Sequence, residues 1–291
     1  MTQLYRESKP GPLSQDCVAL FGIPFDKAVS YRAGAIDGPA AIRTACECIE
    51  SYSPRLDRDL VDMALIDIGD LQVSGETESE KALTRKAITE RTREILEAGG
   101  RPLMLGGDHS VTSPVVRAMV ERYPDLIVVQ LDAHADLRET FCGDTHNHAC
   151  AMRRCLDVLQ EGHLYQVGIR SGTREEYQEM RSANRLLPPI AEAVRKALLP
   201  HVGSPIYVTV DIDVLDPSLM TGTGTVEPGG MVWGEFEKII DIFAEHSIVG
   251  ADLVEFAPSL DPTGTSNVVA CIMVRELALV MGFPPKSAVA A

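Results

Sequence analysis

The chain has 291 residues, 45% of them hydrophobic and 24% charged, with 42 acidic side chains against 27 Lys plus Arg. That apolar share is enough for a sizeable core and excludes a disordered chain. The formal charge of -15 repels phosphate backbones and anionic lipid while concentrating cationic ligands, so neither nucleic acid nor a membrane is an expected partner.

The start, MTQLYRESKPG, lacks the basic and apolar regions of a signal peptide, and no stretch of eighteen uninterrupted apolar residues appears. A cytoplasmic location is the expectation. The seven cysteines form no CxxC pair, which speaks against a disulfide framework or a zinc finger and predicts buried free thiols.

From about residue 16, short β-branched runs alternate with amphipathic segments. The first strand is predicted over 17–23 (CVALFGI), followed by a helix from Gly38 (GPAAIRTACECI) and a strand over 63–69 (MALIDIG). A long helix from Glu78 ends at Gly99 and Gly100, where a left-handed C-cap is wanted, and RPLMLGG (101–107) forms the next strand. Ser113 with Pro114 suits the N-cap and first position of the helix that follows. Strands come next over 125–134 (DLIVVQLDAH) and 164–170 (LYQVGIR). Thr173 and Glu176 have capping-box spacing for a helix to about 183, and another helix begins at Ala191. PIYVTVDIDV (205–214), a helix from Trp233, SIVGADLVEF (247–256) and a last helix after Ser266 complete the alternation. Seven strands, several apolar almost throughout, predict an α/β fold: a parallel sheet buried on both faces by helices. No linker or repeat interrupts it, so residues 1–291 read as one domain.

The clustered acids and histidines fall where these strands end. Gly106-Gly107-Asp108-His109, Asp132-Ala133-His134-Ala135-Asp136, Asp211-Ile212-Asp213 and Asp252-Leu253-Val254-Glu255 each close a predicted strand at its carboxyl end, where open parallel sheets bind ligands. On an extended segment Asp132, His134 and Asp136 share one face, as do Asp211 and Asp213, while Ala133, Ala135 and Ile212 pack away. Carboxylates crowded this closely repel one another unless cations neutralise them. Mostly oxygen ligands with two imidazoles point to manganese first, with nickel, cobalt and iron as alternatives.

GGDHS (106–110), DAHAD (132–136), VDIDVLDP (210–217) and GTGTVEPGG (222–230) resemble, as a set, the signature blocks of the ureohydrolases, the arginase and agmatinase family. The likeness runs from FGIPFDKAVSYRAGAIDGPAAIR to DLVEFAPSLDPTG. It implies a three-layer α/β/α sandwich around an eight-stranded parallel sheet, one strand more than the sequence reveals. It also implies two manganese ions per subunit. His109 and Asp136 would hold the first, His134 and Asp213 the second, with Asp132 and Asp211 bridging both. A hydroxide shared by the metals would attack the guanidinium carbon, Asp136 would orient it, His148 would protonate the departing amine, and Glu255 would pair with the guanidinium. His146 competes with His148 for the proton-transfer role. A homo-oligomer, trimer or hexamer, is implied too.

The asparagine that arginases place just after this aspartate block is replaced by Leu137-Arg138-Glu139, and His148-Ala149-Cys150 looks more like agmatinases. Agmatine, a small cationic guanidino substrate, is therefore the expected ligand. Arg138 keeps a guanidino acid such as 4-guanidinobutyrate open, because it could pair with a carboxylate or equally with Glu139. Arginase and formiminoglutamase activities fit less well, and a catalytically silent binding relative is the alternative of a different class.

Overall fold

Val18 and Leu20 enter one apolar core and Ala19 and Phe21 the other, the period-2 consequence of a strand covered on both faces. This strand, β1 (Val18–Gly22), belongs to a sheet with β2 (Leu65–Asp70), β3 (Arg101–Leu105), β4 (Ile127–Leu131), β5 (Leu164–Val167), β6 (Leu186–Leu187), β7 (Pro205–Asp211) and β8 (Ser247–Val254). The computed structural model describes residues 4–27 and 31–285; residues 28–30, within the FGIPFDKAVSYRAG stretch, lie outside the described residues, as do 1–3 and 286–291. All eight strands are parallel, in the order β2-β1-β3-β8-β7-β4-β5-β6. The strand beyond the seven expected is β6. Two half-buried residues at the sheet edge, pairing Leu186 with Gln166 and Leu187 with Val167, are too few to show any periodicity.

Helices α2 (Glu78–Glu97), α3 (Thr112–Arg122), α4 (Ala151–Leu156) and α5 (Arg174–Ser182) cover one face, burying Ile88, Ile95, Val115, Met119, Met152 and Met180. On the other face α1 (Gly38–Ala45), α6 (Ala191–Leu198), α7 (Trp233–Phe243) and α8 (Thr265–Gly282) bury Ile42, Val194, Phe236, Ile240 and Val274. The result is the expected three-layer sandwich. By length and composition α8 could cross a membrane. Here it is a core helix, with Cys271, Val274, Leu277 and Met281 fully buried.

The Gly99 and Gly100 signal is correct: Gly99 has φ 79° and the Gly100 amide donates to the Ile95 carbonyl at 2.9 Å. The Thr173–Glu176 capping box is present in both directions. The Ser113–Pro114 start is corrected, since α3 begins at Thr112, continuing a 3-10 turn over His109–Val111 that Asp108 caps instead. Helix α4 was not expected from the sequence. Of the cysteines, Cys17, Cys46, Cys150, Cys155 and Cys271 are buried, but Cys48 and Cys142 are exposed.

Sheet order positions the site. The strands β3, β8, β7 and β4 lie side by side, so segments more than a hundred residues apart in sequence open onto one crevice at their carboxyl ends.

Candidate active site

The strands stop where aspartates bend the chain. Asp132 accepts the His134 amide at 2.6 Å, Asp211 the Asp213 amide at 2.9 Å, and Asp108 the Ser110 amide at 3.1 Å. Such a side chain captures the amide two residues on and competes with the ladder. The predicted extended segments are corrected accordingly. Ladder β4 ends at Leu131, Asp213 lies in a 3-10 turn over Ile212–Val214, and Asp136 has φ 53°. The left-handed backbone at Asp136 aims its carbonyl at the start of α4, where it accepts the amides of Met152 and Arg153. Ala133, Ala135 and Ile212 pack away into the core as expected, so these turns still bring the acidic side chains together.

His109 Nδ1 lies 3.2 Å from Asp132 Oδ2, 3.2 Å from Asp136 Oδ2 and 3.5 Å from Asp211 Oδ2. His134 Nδ1 lies 2.9 Å from Asp213 Oδ2 and 3.7 Å from Asp132 Oδ1. Two groups with metal-ligand spacing result, His109-Asp132-Asp211 and Asp132-His134-Asp213, joined through Asp132. His109 Nδ1 is buried and makes no hydrogen bond although carboxylate oxygens surround it. Its other nitrogen explains why. Thr209 Oγ1 donates its proton to Asp252 Oδ1 at 2.7 Å, so it accepts from His109 Nε2 at 2.9 Å, and Nδ1 is the nitrogen that faces the oxygens. Burial alone favours the neutral ring, but Asp132, Asp136 and Asp211 raise its pKa well above the usual imidazole range, so Nδ1 holds a proton until a cation takes its place. Such an array is stable around a cation, and two imidazoles with carboxylate oxygens and no thiolate fit a hard divalent metal.

Electrostatics point the same way. Burial, then the charges of Asp213 and Asp136, push the Asp132 carboxyl up to about 7. Burial together with Asp213 and Asp132 drives Asp211 well above the carboxylate range. His134 rises to about 11, because Asp213 outweighs a burial that by itself favours the neutral ring. Protons therefore collect in the cluster wherever positive charge is otherwise missing.

Beneath the cluster runs a buried polar row that sequence inspection missed. Gln166, Gln130, Thr209 and Asp252 are successive cross-strand neighbours on β5, β4, β7 and β8. Gln130 donates to Asp132 at 2.6 Å, and Asp252 also accepts from Tyr207 at 2.7 Å and Thr112 at 2.9 Å. Asp252 thus supports His109 from below instead of facing the cleft. The readable signal was a Gln inside IVVQL and a Thr inside YVTV, polar residues in strands buried on both faces.

A cleft of about 220 Å³ opens above, lined by residues including Asp136, Asp211, Glu255, His148, Arg138 and Glu176. Glu255, at φ 62°, accepts the His109 amide at 2.7 Å and donates its own amide to Gly107 at 2.8 Å. Burial and the neighbouring Asp108 charge raise its carboxyl well above the usual range. His148 lines the cleft, edge-on to Phe141 at 5.9 Å, with its Nδ1 unpartnered. His146 faces away, into a different cavity. The Arg138 guanidinium sits 5.3 Å over the Phe141 ring and 3.9 Å from Glu176, which accepts the Leu137 and Thr173 amides. His163, His201 and His246 hold Leu126, Tyr165 and Ile242 respectively, outside the cleft. Trp233 opens α7 and packs on Phe236 at 5.2 Å.

The arginase family profile matches residues 16–280. An agmatinase of Bacillus anthracis is 40% identical over 266 residues, covering 90% of this chain and 91% of its own. A guanidinobutyrase of Pseudomonas aeruginosa is 30% identical over 294 residues, covering 97% and 91%. The crystal structure of the agmatine ureohydrolase of Thermoplasma volcanium superimposes with a TM-score of 0.82 at 31% identity, over 97% of this chain and 95% of that one. The profile, the relatives matched over nearly their whole length and the clustered site agree: the chain belongs to the arginase family and is a ureohydrolase that acts on guanidino compounds.

Proposed function

We propose that the chain hydrolyses agmatine to putrescine and urea, using two manganese ions per subunit. The observation that carries this reading is the paired His/Asp groups sharing Asp132 at the base of a cleft with acidic walls. His109, Asp132, Asp136 and Asp211 would hold one ion; His134, Asp132, Asp211 and Asp213 would hold the other. When bound, the metals supply Lewis acidity and a water acidic enough to act as a nucleophile near neutral pH.

The chain's own residues do the rest. Glu255, fixed by the His109 amide, anchors the guanidinium, and Asp136 orients the attacking water. As the tetrahedral carbon collapses and the C–N bond to the amine breaks, His148 delivers a proton to the departing nitrogen. Thr209 and Asp252 hold the His109 ring in the tautomer that leaves Nδ1 free.

Agmatine is favoured because it is a dication without a carboxylate, matching a cleft lined by Asp136, Glu176, Asp211 and Glu255. Arginine would bring an anion toward these acids, and an unpaired buried charge costs several kcal/mol, so agmatine should exceed arginine in kcat/KM by roughly a hundredfold or more. A second reading rests on Arg138, which is 40% exposed at the cleft and could read the carboxylate of a guanidino acid. Urea release from agmatine, arginine and 4-guanidinobutyrate, measured side by side in the wild type and in Arg138→Ala, separates the two. Fastest turnover of guanidinobutyrate, lost selectively in Arg138→Ala, would overturn the agmatine assignment.

A further inference from the structure

The loop carrying His148 has a second face. Behind it lies a cavity of about 360 Å³ between α2, α3 and α4, whose charged lining is entirely cationic: Arg85, Lys86, Arg93, Arg117 and Arg154, with His146 beside them. In a chain of net charge -15, five cations around one cavity run against the overall balance. Four of them have carboxylate partners that stand out in solvent. Arg85 pairs with Glu78, Lys86 with Glu90, Arg93 with Glu121 through two hydrogen bonds, and Arg154 with Glu139 and Asp157, and these acids are 64%, 53%, 48%, 73% and 44% exposed. Exposed single-contact pairs such as those of Arg85 and Lys86 contribute little, and none of these acids, Glu121 on Arg93 included, lines the cavity.

Two donors remain open. Among the described residues Arg117 has no ion pair, and Arg154 Nε is buried without a hydrogen-bond partner. The positive potential is felt at His146, whose ring is held below its ordinary range by burial and by Arg85, with Arg154 adding to the effect. Converging guanidinium donors around a concave site are the arrangement that recognises tetrahedral oxyanions.

We propose that this cavity is a binding site for a small phosphate-type anion, separate from the metal cleft and seated against the outer wall of the His146–His148 loop. Free phosphate and the phosphate end of an organic phosphate share the chemistry. The test is calorimetric titration of metal-loaded enzyme, freed of excess cation, with inorganic phosphate and with phenyl phosphate. Saturable binding is expected, weakened about tenfold or more in Arg117→Ala and in Arg93→Ala, and less in Arg117→Lys, which keeps the charge but loses the guanidinium fork. Urea release without added anion should be unchanged in Arg117→Ala, which shows that the variant is folded and its cleft intact. Tighter binding of inorganic phosphate assigns the free ion, and tighter binding of phenyl phosphate assigns an organic phosphate. No binding at millimolar concentration, or binding that neither Arg117→Ala nor Arg93→Ala weakens, would overturn the proposal, the latter by placing the anion on the metals. Neither result bears on agmatine hydrolysis, which is read separately as urea.

Discussion

At the scale of single residues, the chemistry depends on which atom of a side chain is free. His109 offers Nδ1 because Thr209 and Asp252 occupy its other nitrogen. Thr209→Val and Asp252→Asn should therefore weaken metal affinity by roughly 10- to 100-fold, as read by chelator competition, without removing a ligand. Asp211→Asn changes an oxygen placed against His109 and should abolish both metal retention and activity. The two loop histidines differ by location. His148→Asn should lower kcat by about 10²-fold or more at saturating metal, whereas His146→Asn, facing the cationic cavity, should keep near-normal kcat. The opposite pattern would exchange their roles.

At the scale of elements, the turn that carries His109 is held by close backbone contact. A Cβ on Gly107 would meet the Phe25 carbonyl oxygen at 1.7 Å, while the neighbouring Asp108 amide donates to that same carbonyl at 2.8 Å. No side chain fits. Gly107→Ala should displace the turn that carries His109 and reduce both the melting temperature and the bound metal. The cap of α5 is a milder case. Thr173→Ala removes a cap whose partner Glu176 also accepts the Leu137 amide in the cleft wall, and it should cost about 1 kcal/mol in chemical denaturation. Arg170 ties its own loop to two others by donating to the carbonyls of Asp213 and Leu215 and to that of Glu227, which explains how the irregular segments around the His/Asp cluster keep one geometry.

At the scale of the whole molecule, the buried cluster makes stability depend on pH and on metal together. Asp132, raised to about 7, and His134, raised to about 11, bind protons more tightly folded than unfolded. Asp132 thus contributes stability that is full below the unfolded carboxyl pKa and is lost as pH rises through about 7; the His134 contribution is full below the unfolded imidazole pKa and is lost toward about 11. Asp213, lowered by His134, acts oppositely, but only in the acid range. Metal-free protein should therefore melt at a lower temperature at pH 8 than at pH 5.5, and added manganese should raise the melting temperature more at pH 8, where protons no longer compete for the ligands. Scanning fluorimetry with and without the ion checks both signs. A metal-free melting temperature that rises with pH would show that the cluster does not hold these protons.

The sequence by itself determined the class of fold and which acidic and imidazole residues crowd the strand ends. Apolar runs buried on both faces predict a parallel sheet, and four acid-rich segments at strand ends predict a charged crevice, because side-chain periodicity and charge crowding are local properties of a chain. Tertiary structure decided what no local pattern contains. It placed β3, β8, β7 and β4 in adjacent positions, aligned Gln130, Thr209 and Asp252 beneath the cluster, and added β6 at the edge. It also turned His148 into the cleft and His146 into a separate cavity, a choice that spacing of two residues in a loop leaves open. The physical reason is shared: register between distant strands, and the face a loop side chain takes, are set by packing and hydrogen bonds to residues far along the chain, which a one-dimensional pattern does not specify.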